Sequence, residues 1–251
     1  MFHLCAYTAS IGNTADTDVG ALVDDILTIQ NSHFVLSQPM NLIAAAAMSA
    51  TLSRAKVASP TMRQIASPFI RPIILAAIPA ANPNVDIMDD RPFTIPPFEE
   101  IQVQATSGVA MTERFTALLW LSLGITQPAR GNVIPLRWTS STTAAANAWT
   151  TATVTFADTL PSGVYQMVMS EAFSTNAQAH RWIIPNQLMR PGFLSFAANS
   201  SRLPYAMSLG QFGALGTFRS NDLPRPQVLC NGADNSHEGY LHVIKVGNLA
   251  A

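Results

Sequence analysis

The sequence predicts a mainly β protein, an antiparallel sandwich with an N-terminal helical segment. Three observations predict it. From about Phe69, short runs of β-branched and aromatic residues alternate with Pro, Gly and Asn turn signals. No stretch of helical periodicity long enough for a crossover lies between those runs, which argues against a parallel α/β sheet. Before them, Val19, Leu22, Val23, Ile26 and Leu27 recur at i, i+3, i+4, i+7 and i+8, the spacing of an amphipathic helix.

The elements follow in order. Asp16 or Asp18 can cap the first helix, and Asp24 and Asp25 fall on its wet face. A second helix is expected from about Pro39, with Ser37 as cap, through Leu42–Met48, stopping before Pro60. These make a helical arm over residues 1–65. Residues 66–251 form the β domain. Its expected strands are 70–78, 101–106, 115–123, 133–138, 150–156, 165–173, 181–184, 193–196, 227–230 and 240–246. Thr151 to Phe156 and Tyr240 to Val246 alternate cleanly between two faces. Ten short strands over this length suit an eight-stranded jelly roll with an extra strand or two. Arg-Pro precedes or begins an apolar run at Arg71-Pro72, Arg91-Pro92, Arg190-Pro191 and Arg225-Pro226, where proline suits a strand start or edge.

The 251 residues are 12% charged and 48% hydrophobic, with a net charge of -1. A typical soluble domain is about 25% charged. Low net charge with many apolar residues excludes disorder. The alanine-rich run Leu42–Ala50 falls short of a membrane span, so no transmembrane insertion is expected. Met1–Cys5 lacks the basic start and cleavage site of a signal peptide. Cys5 and Cys230 are expected as buried thiols. Twelve arginines accompany only two lysines. Arginine's planar, weakly hydrated fork suits contact surfaces, whereas lysine suits open water. The composition therefore points to a surface largely covered by other subunits. The expected interface residues are Val19, Leu22, Val23 and Ile26 of the arm and Arg71, Arg91, Arg190 and Arg225. The first fifty residues hold no Lys or Arg. Nucleic-acid contact is thus expected to be weak or indirect.

No motif carries chemistry. The polar stretch Asn231–Gly239 contains His237-Glu238, but the next histidine, His242, follows His237 by five residues. A helical His-Glu-x-x-His zinc site needs a different spacing, so a hairpin loop between strands is expected. The carboxylates Asp86, Asp89, Asp90, Glu99 and Glu100 lack calcium-loop spacing. Nucleophile-elbow, phosphate-loop and dinucleotide fingerprints are missing. The glycines between Leu209 and Gly216 suit a loop lying against a neighbour. Trp120 is expected in the core. Trp138, Trp149 and Trp182, with Arg137 and Arg181 beside two of them, are expected as core or interface rings rather than a base-stacking platform. An enzyme of the cupin kind would draw on His180, His237 and His242, which no ligand spacing links. The chain is expected to be no enzyme and to need no cofactor or metal.

The strand series from Phe69 to Val246, the helical arm before it, and the Lys-poor composition together resemble a jelly-roll coat protein of a small icosahedral virus or bacteriophage. The resemblance is one of type, with no family motif. It implies a structural virion protein that self-assembles into a shell in the host cytoplasm. Its partners would be copies of itself and other virion proteins. The lack of a basic arm departs from many coat proteins. The alternative is a receptor- or carbohydrate-binding β-sandwich module of a phage particle.

Overall fold

The computed structural model describes residues 1–12, 16–49, 52–65, 69–70, 85–88, 91–108, 113–196 and 212–249. Among the described residues every strand pair within the sheets is antiparallel, and one short helix accompanies them. The chain divides into two compact units: Leu4–Leu123, and Met1–His3 together with Gly124–Ala251.

The N-terminal unit holds β1 (Phe2–Ile11), β2 (Thr17–Ala21), β3 (Thr28–Gln30), β4 (His33–Val35), β5 (Met40–Met48) and β6 (Leu52–Ala58). Helix α1 (Pro60–Ile65) follows, then β7 (Phe69–Ile70), β8 (Asp86–Ile87), β9 (Phe93–Ile95), β10 (Glu100–Ser107) and β11 (Glu113–Ser122). The strands run β3-β4-β10-β2-β1-β11-β5-β8, with β6 also on β10, β7 on β6 and β9 on β5. Where a helical arm over residues 1–65 was expected, the described residues hold the strands β1 to β6, and the only helix among them is the short α1. Tertiary pairing overrides helix propensity in the alanine run. In β5, Ala44, Ala45 and Ala46 lie opposite Trp120, Leu119 and Leu118 of β11. Small residues on one strand leave room for large ones on the next. All six are buried, and Trp120 is core as expected.

The predicted amphipathic helix fails for a local reason. The Asp24 carboxylate accepts the amide N–H of Ile26 at 2.8 Å and of Leu27 at 3.1 Å. That Asx turn offers the backbone a partner outside a helix. Pro60 starts α1 instead of ending a helix. Ser59 caps it, its hydroxyl accepting the Met62 N–H at 3.2 Å and its carbonyl the Arg63 N–H at 2.9 Å. Proline fits the first helical position because its missing N–H would have had no partner there.

The C-terminal unit holds β12 (Val133–Ser140), β13 (Trp149–Thr151), β14 (Thr155–Phe156), β15 (Val164–Phe173) and β16 (Ala177–Ile183). Next come β17 (Gly192–Leu194), β18 (Gly216–Arg219), β19 (Arg225–Cys230) and β20 (His237–Gly247). One sheet is ordered β14-β12-β20-β15-β18 and the other β13-β19-β16-β17. The single strand expected over 150–156 is two, one in each sheet. The chain crosses between them at Ala152, whose N–H bonds the Pro226 carbonyl at 2.9 Å. Trp138 of β12 and Trp182 of β16 meet edge to face at 5.7 Å, joining the two sheets through the core. Phe2 packs against Phe193 and Phe212 in the same unit.

Residues 231–236 are not a hairpin loop, because β19 and β20 belong to different sheets. Asp234 organises this connection. Its carboxylate accepts from the Ser174 hydroxyl and from the amides of Asn176 (2.9 Å) and Ser236 (3.0 Å). Burial opposes ionisation of Asp234, but these hydrogen bonds outweigh it and hold the carboxyl below its ordinary value. Cys5 and Cys230 are buried thiols, in neither case part of a disulfide. Burial pushes the Cys230 thiol up to about 12, so it stays protonated at neutral pH. Among the described residues, no helix is long and apolar enough to cross a membrane.

Candidate functional site

The residues singled out from sequence do not gather in one place. Val19 is buried in β2, facing inward. Leu22 and Ile26 are half-buried beside the Asx turn, and Val23 is 83% exposed. Arg71 lies outside the described residues. Arg91-Pro92 immediately precedes β9, Arg190-Pro191 precedes β17, and Arg225 opens β19, so the three described Arg-Pro pairs do mark strand starts. Arg91 and Arg225 are exposed. Arg190 is committed to its own loop, donating to the carbonyls of Gln187 at 2.9 Å and Leu188 at 3.0 Å.

The three histidines do not converge either. His180 sits wholly buried between two hydroxyls, with Nε2 2.8 Å from Ser170 and Nδ1 3.1 Å from Ser195. Burial lowers its pKa to about 3, so the ring is neutral at pH 7. It has a serine on each side but no open space for a substrate. His237 is buried at the start of β20. His242, half-buried on the same strand, lies 3.8 Å from the Glu171 carboxylate. Among the described residues no group of three His, Cys, Asp or Glu could hold a metal ion. The Arg181 guanidinium is also buried. It lies 4.3 Å over the Trp149 ring and donates to Gln227 at 2.7 Å.

The open site is elsewhere, along β18. The turn after β16 is closed by the Gln187 N–H donating to Ile184 O at 3.1 Å. Asn186 within it has φ of 60°, a left-handed conformation that asparagine tolerates better than most residues. The Gln187 side chain then lies against Gly216 of β18, where any Cβ would collide with its amide. At the far end of β18, Asp222 N–H bonds Arg219 O at 3.0 Å and Ser220 N–H bonds Gly163 O at 3.0 Å. These two turns wall a depression of about 590 Å³. Its polar lining is Asn186, Gln187, Thr217, Arg219, Asn221 and Asp222, and its apolar lining includes Pro185, Phe218 and Val164. A shallower depression of about 230 Å³ shares Val164, Arg219 and Asn221 and continues to Asn248 and Leu249.

Searched against known proteins, the chain matches no family, no curated protein and no solved structure. The chemistry of the groove rests on its own residues. Its size falls within the range of about 300–1,000 Å³ usual for small-molecule pockets. Its side chains carry one cation, Arg219, and one carboxylate, Asp222; Met1, whose ammonium donates to the Gly124 carbonyl, also lines it. A second depression, of about 400 Å³, is lined by hydroxyls of Thr139–Thr142, Thr153 and Thr155 with Asn235 and Ser236. Two of those hydroxyls already accept backbone amides, Ser140 from Thr142 and Thr142 from Thr153.

None of this groove was singled out from the sequence. Its residues come from the β16–β17 loop, β18, the turn after it and the end of β20. No spacing in the chain links them. The one local signal was Asn221-Asp222, a turn pair before an Arg-Pro strand start.

Proposed function

We propose that the chain is a structural virion protein that assembles, copy on copy, into an icosahedral shell, with a jelly-roll C-terminal unit. One observation carries the reading. Setting aside the two-residue edge strand β14, eight strands remain among the described residues of that unit. The first, eighth, third and sixth lie side by side in one sheet, and the second, seventh, fourth and fifth in the other. That is the order produced when two Greek keys wrap together, an architecture used by viral coats and also by lectins and cupins. Composition favours the coat among these. Charge is thin and its basic part is nearly all arginine. Contacts between copies would then rest on apolar packing and arginine hydrogen bonds more than on ion pairs.

The test is the assembly state of the purified full chain. Light scattering and negative-stain electron microscopy at neutral pH are expected to show closed particles of uniform size. A 27 kDa species that stays monomeric at high concentration overturns the proposal.

A further inference from the structure

The geometry points to the groove along β18 as a binding site for an uncharged oligosaccharide. This site is independent of whether copies assemble.

The first reason is uncommitted polar chemistry. Two carboxylates elsewhere show the contrast. Asp16 is held by Thr106, Lys56 and Arg54, and Asp234 by Ser174, Asn176 and Ser236. In the groove the side chains of Asn186, Gln187, Thr217, Arg219, Asn221 and Asp222 make no hydrogen bond or ion pair with another side chain or backbone group among the described residues. Asn248, in the adjoining depression, makes none either.

The second reason is the kind of groups present. Three side-chain amides line the main depression and a fourth the extension. Each amide offers an acceptor and two donors on one plane. Sugar hydroxyls both donate and accept, so they match amides better than a phosphate or a carboxylate does. The side-chain charges of Arg219 and Asp222 offset each other, and the Met1 ammonium, also in the lining, already donates to the Gly124 carbonyl. An anion would meet the Asp222 carboxylate, and a cation would meet Arg219. Pro185 and Val164, both half-buried, give the apolar surface against which the C–H face of a pyranose ring can lie. The extension toward Asn248 and Leu249 gives room beyond one ring.

The third reason is preorganisation. Both turns are tied by backbone hydrogen bonds, and Asn186 is held at positive φ. Sparsely populated backbone conformations cluster at ligand sites, where the surrounding structure enforces them. An extended peptide adding to the β18 edge is disfavoured. That strand has only four residues, and the Arg219 carbonyl is already taken by Asp222.

The experiment uses the fluorescently labelled full chain on an array of neutral, sialylated and sulfated oligosaccharides, with unglycosylated peptides alongside. Titration of the best neutral ligand in solution follows. Asn221→Ala and Asp222→Ala remove exposed side chains with no structural partner. Each is expected to weaken binding about tenfold, the worth of one or two hydrogen bonds, with the melting temperature unchanged. Thr153→Ala, in the hydroxyl-lined depression, is expected to leave binding unchanged. Absence of neutral-glycan binding overturns the inference. So do preference for anionic glycans, capture of peptides alone, and binding that survives both groove substitutions. A monomeric chain that binds the sugar would sink the shell proposal and leave this one standing.

Discussion

The buried His180 makes stability depend on pH in a calculable way. The ring lies in the C-terminal core, with Ser170 and Ser195 on its two nitrogens. Burial is the dominant cause of its lowered pKa, about 3, and the Ser170 hydrogen bond and the Glu171 charge oppose it only in part. In the unfolded chain an ordinary histidine titrates near 6.5. Because the folded value is the lower one, the unfolded chain binds the extra proton between those limits. The contribution of a neutral His180 is therefore complete above about pH 6.5 and is lost progressively as pH falls toward 3. From those two values, acidification from pH 7.5 to 5 costs about 2 kcal/mol. Urea unfolding followed by tryptophan fluorescence measures it, since Trp138 and Trp182 lie in the same core. His180→Gln keeps an amide near the two hydroxyls but cannot be protonated. The quantity of interest is the difference between the two proteins' pH 7.5 to 5 losses, in which contributions common to both cancel. The wild type is expected to lose about 2 kcal/mol more than the variant. Equal losses would refute the claim that His180 is held neutral by burial.

Two further substitutions probe other particular features. Asp234→Ala removes the acceptor for the Ser174 hydroxyl and for two amides in the connection between sheets. Urea unfolding is expected to show a loss of about 2 kcal/mol, because hydrogen bonds to a charged acceptor are stronger than average. Phe98, 81% exposed, is held at φ of 63° by its N–H bond to the Leu36 carbonyl. Phe98→Gly relieves a conformation that costs a bulky residue more than glycine, and is expected to raise stability by about 0.5–1 kcal/mol in the same assay.

The legible part of the fold was the strand series after residue 100. Expected strands at 101–106, 115–123, 133–138, 165–173 and 240–246 correspond to β10, β11, β12, β15 and β20, with ends shifted by up to three residues. Alternation and β-branched content are local properties, and these strands are long enough to display them. The short strands β8, β9 and β18 carry two to four residues each, too few for a period to register. Residues 1–65 misled because their pattern is ambiguous. Alanine favours a helix in isolation, but Ala44–Ala46 oppose Leu118, Leu119 and Trp120, which only the folded chain brings alongside. The stripe from Val19 to Leu27 is broken by the Asp24 side chain, a competition that periodicity does not weigh.

Function divides along the same line. Composition, alternation and missing motifs are carried by the chain itself. They sufficed for a mainly antiparallel β protein and for a core position at Trp120, while Trp138 and Trp182, expected as core or interface rings, are buried. The strand order, the crossing of Thr150–Phe156 from one sheet to the other, and the groove along β18 needed the tertiary structure. Each joins residues tens of positions apart, as Gln187 lies against Gly216 and Arg219 beside Asn248. Local preference sets what a segment can become. Burial and backbone pairing, which are properties of the whole chain, set which segments meet and which polar groups are left open to a ligand.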